Sequence, residues 1–190
     1  MNSLFDNGVA WDLRNLNTIL NKGMGEDAIR GVTQPYLYVG VWRSLFGWHK
    51  EDLDLYSINY LHAGAQKVWY TVDLDSNDDF EQLARDNFKD CFKECSEFLR
   101  HKTTLIDPAI LLQNGIKLHK AHQGPREFVI ARAKAYHAGF NAGFNIAEAV
   151  NFALPAWIEV GKNVSYCKCE RDSVRIEMDE FLKNLQKTAP

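Results

Sequence analysis

The sequence predicts a mainly β protein, either a β-sandwich or an open barrel, with helices on its outside. Six short segments are rich in β-branched and aromatic residues and are separated by turn residues: 36–42, 53–61, 68–72, 127–131, 136–137 and 147–152. The segments do not alternate regularly with helices, as they would in a doubly wound parallel sheet. We therefore expect an antiparallel architecture.

Helices are predicted where apolar residues recur every three or four positions. These stretches are 11–22, 78–100, 108–114 (ended by Gly115) and 173–187. A glycine-bearing loop is expected at 22–26, after the first helix. The second helix interrupts the series of strands and is therefore expected to form a helical insert. The last helix is amphipathic, with an apolar face formed by Ile176, Phe181, Leu182 and Leu185.

Composition narrows the class of protein. The 190 residues are 46% hydrophobic, enough for a sizeable core, and the net charge of -3 disfavours a general nucleic-acid binder while remaining compatible with a basic partner. We expect no membrane span and no secretory signal, because long apolar runs are absent and the first thirty residues are acidic. With four cysteines and no such signal, we expect a reducing compartment and metal ligands rather than disulfides.

One pair of polar residues has the spacing of metal ligands. His49 and Glu51 follow an aromatic stretch, and in a strand they would point to the same face. Together with a later histidine they would make the facial triad of non-haem Fe(II) oxygenases, which leaves three coordination positions open. His137 is the candidate third ligand, whereas His62 and the histidines of a polar loop at 119–122 fit less well. Polar surface residues and a structural histidine remain the alternative.

A second group of residues has the chemistry of a zinc site. Cys95 and His101 are separated by five residues, and Cys167 and Cys169 form a Cys-x-Cys pair near the end of the chain. Three thiolates and one imidazole suit tetrahedral zinc in a closed structural site. Because the spacing is not that of a zinc finger, free buried cysteines remain the alternative. Cys91 is interpreted as a small packing residue.

Several longer stretches resemble the JmjC histone demethylases. They are Trp48-His49-Lys50-Glu51-Asp52, the run from Asp54 to His62, Phe98 to Lys102, Tyr136 to Asn141, and Ala147 to Phe152. The resemblance extends over about 4–185 and is strongest to the trimethyl-lysine demethylases that carry a JmjN segment and act on histone H3. It implies a double-stranded β-helix core of the jelly-roll or cupin type, with surrounding helices, a helical insert and a C-terminal zinc-bound segment.

The resemblance also implies a domain organisation. We expect a single catalytic domain over residues 1–190, with a JmjC core at about 4–154 and a zinc-binding segment at about 155–190. The JmjN segment would be absent, and so would an upstream tyrosine that contacts the cosubstrate in the family.

By the same resemblance, His49, Glu51 and His137 would bind iron. The zinc ligands would be Cys95, His101, Cys167 and Cys169. Lys67 would pair with the distal carboxylate of 2-oxoglutarate, and Asn59 would hydrogen-bond this cosubstrate. Phe46 and Trp69 would wall its pocket, and Lys102 would lie on the O2 side of the iron. Without the resemblance, Lys67 would be interpreted as a solvated lysine, and the two aromatic residues as core.

Residues around a methyl-lysine pocket are implied in the same way. Tyr38 and Gly31 would line it, and Asn151 would lie close to the substrate lysine. Ala149 and Val150 stand where some relatives carry hydroxyl residues, which bears on the preferred methylation state.

The reaction implied is hydroxylation of an N-methyl group on the histone H3 tail, in the nucleus. It would release formaldehyde, succinate and CO2, with Fe(II), zinc, 2-oxoglutarate and O2 as cofactors and cosubstrates. We expect neither sequence-specific nucleic-acid binding nor membrane binding. Two alternatives remain: a JmjC hydroxylase of another protein, and a catalytically silent chromatin-binding module. Silent members usually lose an iron ligand, whereas this chain keeps all three candidates.

Overall fold

Two four-stranded antiparallel sheets form the centre of the protein. The computed structural model describes residues 12–25, 29–169 and 174–188. The strands are β1 (Tyr36–Gly40), β2 (Leu45–His49), β3 (Tyr56–Gly64), β4 (Lys67–Val72), β5 (Leu118–Gln123), β6 (Phe128–Ala131), β7 (His137–Asn141) and β8 (Asn145–Phe152). One sheet has the order β1-β8-β3-β6 and the other β2-β7-β4-β5, so successive strands mostly change sheet. This arrangement confirms the mainly β, cupin-like fold expected from the sequence.

Short helices surround the sheets. They are α1 (Ile19–Met24), α2 (Asn77–Asn87), α3 (Lys89–Glu94), α4 (Pro108–Gln113), α5 (Trp157–Gly161) and α6 (Met178–Thr188). Helices α2, α3 and α4 lie between β4 and β5 in the chain and form the expected insert. Within the described residues, the helices are too short or too polar to cross a membrane.

The first expected helix was placed wrongly. Instead of a helix over 11–22, the chain forms a 3-10 turn at Leu13–Asn15 and then starts α1 after Thr18. The Asp12 carboxylate accepts from the Arg14 amide at 2.9 Å, and the Thr18 amide donates to Asn21 Oδ1 at 3.2 Å, so side-chain caps begin two separate elements. Helix α1 continues through part of the loop expected at 22–26. Trp11 and Glu26, at the limits of these two predictions, lie outside the described residues.

Three further expectations on local structure were wrong. The helix at 78–100 is broken at Phe88, which leaves the helical region (φ -121°, ψ 49°), and a 3-10 turn follows at Phe98–His101. The polar loop around His119 and His122 is the edge strand β5, because pairing with β4 outweighs its weak intrinsic propensity. Strand β2 was not foreseen as a separate element.

The last helix begins at Met178 rather than at its expected start. Ser173, the expected start, lies outside the described residues.

The hydrophobic cores lie on the outer faces of the sheets. The first cluster packs the helical insert against the β2-β7-β4-β5 sheet through buried residues such as Trp48, Phe80 and Tyr136. The second joins α1, α5 and α6 around Trp157 and Phe181. The third, smaller cluster covers the other sheet. The space between the sheets is therefore left for other side chains.

Helices α1 and α6 approach so closely that only glycine fits at position 23. A Cβ built on Gly23 would lie 2.2 Å from the Phe181 ring, and Phe181 is fully buried. We expect Gly23→Ala to lower the free energy of unfolding by about 1–3 kcal/mol through overpacking, although alanine favours a helix by about 1 kcal/mol. Chemical denaturation would measure this loss.

The double variant Gly23→Ala/Phe181→Leu provides the control. A smaller ring-free side chain relieves the collision, so the loss in the double variant should be less than the sum of the two single losses. If Gly23→Ala is instead more stable than the wild type, helix propensity dominates and the packing argument is wrong.

Candidate metal centres and the cavity between the sheets

Two histidines and a glutamate meet between the sheets. The ligand atoms of His49, Glu51 and His137 all lie within 4.8 Å of one another, and His137 Nε2 is 3.4 Å from a Glu51 carboxylate oxygen. The Nδ1 atoms of His49 and His137 lie 2.8 Å and 3.0 Å from the carbonyls of Gly47 and Ala135, which can only accept. Each Nδ1 therefore carries the proton, and both Nε2 lone pairs face the centre of the group.

Electrostatics keep the group in the form that a metal ion needs. Burial, followed by the neighbouring His137, lowers the pKa of His49 to about 3, so this imidazole is neutral at physiological pH. Burial alone would raise the pKa of Glu51, but the adjacent His137 and the positive charge of Lys102 outweigh it and hold that pKa well below its usual range. A neutral imidazole beside an ionised carboxylate is a cation-binding arrangement.

The expectation that His49 and Glu51 share one strand was wrong in detail. Strand β2 ends at His49, and Glu51 stands in extended conformation just before a 3-10 turn at Asp52–Asp54. Within this turn Leu53 and Asp54 have φ of 57° and 52°, in the left-handed region. Two successive non-glycine residues there cost roughly 1–2 kcal/mol each. The direction of the Glu51 side chain thus depends on a strained turn.

The triad borders a cavity of about 380 Å³ that also contains a buried lysine. Lys67 on β4 is directly opposite Asn141 on β7, and its ammonium donates to Asn141 Oδ1 at 2.7 Å. Burial lowers the pKa of Lys67 to about 8. Because the partner of Lys67 is a neutral amide, the lysine remains available to an anionic ligand.

Aromatic and amide side chains form the wall beside Lys67. Phe46 and Trp69 have ring centroids 4.9 Å apart, and both border the cavity. Gln123, which is fully buried, accepts from Trp69 Nε1 at 2.9 Å and donates to Asn59 Oδ1 at 3.1 Å. Because the Asn59 side-chain oxygen accepts this hydrogen bond from Gln123, the NH2 group of Asn59 is free to face a ligand in the cavity.

A close approach on β7 makes room for the wall. A Cβ built on Gly139 would lie 2.1 Å from the Val68 carbonyl and 2.5 Å from the Phe46 ring. Glycine between His137 and Asn141 therefore lets Phe46 lie over the floor of the cavity.

Tyr38 and Lys102 also border the cavity. Burial and the nearby Glu51 raise the pKa of the Tyr38 hydroxyl, so it stays neutral. Burial alone would lower the pKa of Lys102, but Glu51 and Asp52 outweigh it and raise that pKa. The Lys102 ammonium, 3.4 Å from Asp52 Oδ2, is thus a fixed positive charge beside the triad.

Not every predicted substrate residue reaches this cavity. Ala149 on β8 borders it, whereas Val150 points to the opposite face and packs against Leu13 and Ile58, because side chains alternate along a strand. The placement of Val150 in the pocket was therefore wrong.

The remaining two predicted substrate residues are not part of the cavity lining. Asn151 shares the face of Ala149, and its amide donates to the Tyr56 carbonyl at 3.2 Å. Gly31 forms a turn with φ of 80° that lies against the ring of Tyr36.

Sequence reasoning missed four polar residues of this region. Ser44, Ser57 and Asn141 border the cavity, and Gln123 orients its wall. Asn141 could have been found, since it lies four positions after His137 in one strand and so shares its face. Gln123 gave no signal, because it directly follows the stretch 119–122 that was predicted to be a polar loop.

The second cluster joins distant parts of the chain. The ligand atoms of Cys95, His101, Cys167 and Cys169 lie within 4.8 Å of one another. Cys95 Sγ and Cys167 Sγ are 3.7 Å apart, and His101 Nε2 is 3.2 Å from Cys167 Sγ. With zinc–sulfur bonds of about 2.3 Å, a tetrahedral site has sulfur atoms about 3.8 Å apart, so these residues fit zinc.

Crowding in the cluster affects the protonation of its thiols. Burial, followed by the hydrogen bonds of Cys169 and Cys167, raises the pKa of the Cys95 thiol to about 12. Zinc binds thiolates, so binding would release protons from this crowded group. Cys91 is exposed and lies outside the cluster; its interpretation as a packing residue was wrong.

The fold and the triad together define a class of protein. A family model described as "JmjC domain, hydroxylase" matches residues 36–152, and the chain belongs to this family.

The chain is similar to three curated relatives named as lysine demethylases. It is 47% identical over 187 residues to "Probable lysine-specific demethylase 4F" of Homo sapiens and 48% identical over 187 residues to "Lysine-specific demethylase 4B" of Mus musculus. It is 46% identical over 188 residues to "Lysine-specific demethylase 4D" of Rattus norvegicus. Each match covers 97% of this chain but only 29%, 17% and 37% of the respective relative.

The thiol cluster can be tested with a matched pair of variants. Cys95→Ser should lose bound zinc, because one of four ligands is removed, whereas Cys91→Ser changes an exposed thiol in the same helical insert and should keep it. A link between residues 95 and 167 closes a long loop, so its loss should cost about 4 kcal/mol and lower Tm by roughly 10 °C. Elemental analysis and thermal unfolding would measure both effects. Equal zinc content in the two variants would contradict the assignment.

Proposed function

We propose that this chain is the catalytic domain of an Fe(II)- and 2-oxoglutarate-dependent histone lysine demethylase. The observation that carries the proposal is the placement on one cavity of a His-Glu-His triad and a buried lysine that has no carboxylate partner among the described residues. The names of the relatives support demethylation as the activity. The substrate we propose is methylated lysine on the histone H3 tail, and a nuclear location follows from it.

His49, Glu51 and His137 would hold the iron, and their donor set suits it. Two imidazole nitrogens and one carboxylate are the donors that non-haem Fe(II) takes in oxygenases, and such a donor set would leave room for a 2-oxo acid and for O2. Bound iron would supply the oxidising chemistry that hydroxylates a methyl group and converts the 2-oxo acid to succinate and CO2.

The side chains of the cavity then have separate roles. Lys67 would pair with the distal carboxylate of 2-oxoglutarate, and Asn59 would donate to its oxygen atoms. Phe46 and Trp69 would exclude water from the cosubstrate, which strengthens that ion pair. The positive charge of Lys102 lies on the Glu51 side, where it would stabilise negative charge that develops beside the metal.

The part of the cavity wall formed by Tyr38 and Ala149 suits a methylated ammonium group. Tyr38 presents a neutral hydroxyl and an aromatic ring, which attract the polarised methyl groups. Ala149 offers only a methyl group in this place, so it leaves volume for a bulky head group and supplies no hydrogen bond. Asn151, on the same strand face, would lie close to the substrate. Because hydroxylation attacks carbon, a trimethylated lysine without a nitrogen lone pair is an acceptable substrate.

Activity is tested by mass spectrometry of a trimethylated histone H3 peptide. With Fe(II), 2-oxoglutarate and O2, we expect methyl groups to be lost and formaldehyde to appear, and His49→Ala should abolish both because it removes a metal ligand. His119→Ala is the matched control, since His119 is exposed on β5 and should leave the rate unchanged. Hydroxylation of an unmethylated peptide would instead indicate a protein hydroxylase. If the metal-loaded protein binds the peptide without reaction, it is a binding module.

The pKa of Lys67 predicts how cosubstrate affinity depends on pH. Below about pH 8 the free lysine is protonated, and affinity for 2-oxoglutarate should be constant. Above it, binding must take up a proton, so the dissociation constant should rise by up to about tenfold per pH unit until the raised pKa of the complex is reached. Calorimetry without O2, with Mn(II) in place of iron, would measure this.

Two substitutions separate charge from shape at Lys67. Lys67→Met should weaken binding by roughly 10- to 100-fold below pH 8, where the wild-type lysine is charged, because a charge-assisted hydrogen bond is lost. Its affinity should not fall further between pH 8 and pH 10, because methionine has no proton to lose. Lys67→Arg keeps its charge at high pH, so any remaining affinity should not fall between pH 8 and pH 10. If the dissociation constant of Lys67→Met for 2-oxoglutarate depends on pH in the same way as that of the wild type, the distal carboxylate binds elsewhere.

A further inference from the structure

A buried ion network lies behind the triad, between it and the helical insert. Arg100 is at its centre, in the 3-10 turn Phe98–His101, with a side chain that is 8% exposed. It donates to Asp54 Oδ1 at 2.9 Å and to Glu97 Oε2 at 3.0 Å. A third, longer contact of 3.4 Å reaches the backbone carbonyl of Glu51. One guanidinium thus joins the insert to the segment that carries the carboxylate of the triad.

The network continues to the histidine side of the triad. The Lys50 ammonium lies 3.5 Å from Asp54 Oδ2 and 3.5 Å from Glu81 Oε1. The Tyr136 hydroxyl donates to the same Glu81 oxygen at 2.9 Å. Lys50 directly precedes Glu51, and Tyr136 directly precedes His137. The same set of contacts therefore holds the residue before each of two metal ligands.

The turn after Glu51 needs such support. Leu53 and Asp54 both have a left-handed backbone, which non-glycine residues adopt only when their surroundings impose it. The Leu53 carbonyl accepts from Trp157 Nε1 at 2.9 Å, and the Asp54 carboxylate, 7% exposed, is held by Arg100 and Lys50. The turn is fixed at both residues, and Arg100 supplies the shortest of the contacts to Asp54.

We propose that Arg100 is a positioning residue for the metal centre: by holding the strained Leu53–Asp54 turn, it directs the Glu51 carboxylate toward His49 and His137. This rests on the proposed function, because it takes the triad as the metal site. Arginine suits the role, since its planar fork reaches three acceptors in two segments at once, whereas lysine offers a single point of charge.

The test measures metal affinity rather than activity. Mn(II) would be titrated into the zinc-loaded protein, with free Mn(II) followed by electron paramagnetic resonance, and zinc content and Tm would be recorded for each variant. We expect Arg100→Gln to raise the Mn(II) dissociation constant about tenfold while zinc is retained, as is typical for residues that orient metal ligands. Arg100→Lys should restore little of the affinity. Arg85→Gln, which removes a more exposed arginine from Glu81 in the same insert, should leave it unchanged.

A second substitution separates positioning from simple charge balance. Asp54→Asn keeps a side chain that tolerates the left-handed backbone but removes the buried carboxylate, so the variant should fold even where Arg100→Gln does not. We expect Arg100→Gln/Asp54→Asn to regain Tm while its Mn(II) affinity stays low. If the double variant regains both, Arg100 only neutralises Asp54 and the proposal is overturned.

The remaining outcomes are also decisive. Wild-type Mn(II) affinity in Arg100→Gln would overturn the positioning role and leave the proposed function intact. Mn(II) binding that is unchanged by His49→Ala would show that the triad does not hold the metal, and both proposals would then fail.

Discussion

The inner faces of the two sheets carry polar side chains where a β-sandwich usually carries apolar ones. His49, His137, Lys67, Asn59 and Asn141 are all buried there. Burying such groups costs free energy unless each one finds a partner, and here the partners are backbone carbonyls and buried amides. The space that a ligand would fill is therefore also the part of the fold that contributes least to stability.

That constraint explains where the apolar residues lie. Because the interior of the sandwich cannot serve as the main hydrophobic core, the sheets are stabilised from outside by the insert on one and by α1, α5 and α6 beside the other. Trp48 and His49 show the division within two residues: the indole packs into the outer cluster, and the imidazole points inward. The helices are short because each needs only to cover one patch of sheet.

Successive side chains of a strand point to opposite faces of the sheet, and this alternation decides how much of the site could be predicted from the sequence. Strands such as 68–72 were evident from β-branched and aromatic residues, and the motifs around His49 and His137 identified the triad. The sequence could not show that Ala149 faces the cavity while Val150 faces the core, since that depends on the register of β8 against β1 and β3. Strand β5 could not be predicted for a related reason. Its residues are polar, and they form a strand only because β4 pairs with them.

Long-range contacts were the least predictable part of the site. Arg100 and Asp54 are 46 residues apart, and no periodic pattern connects them. The left-handed conformation of Leu53 was equally hidden, because a bulky apolar residue rarely adopts it. The folded surroundings impose such features, so they cannot be predicted from the local sequence.

The turn Phe98–His101 and the residue after it bring these constraints together. Three successive residues serve three different places: Arg100 enters the ion network, His101 the thiol cluster, and Lys102 the cavity. A tight turn can send consecutive side chains in such different directions, and the left-handed backbone of Lys102 (φ 61°) turns the chain away at its end. Phe98 and Leu99 pack into the first hydrophobic cluster, but the three residues after them are polar and are not fixed by apolar packing. A metal ion held by His101 together with Cys95, Cys167 and Cys169 would anchor this part of the turn where hydrophobic packing does not.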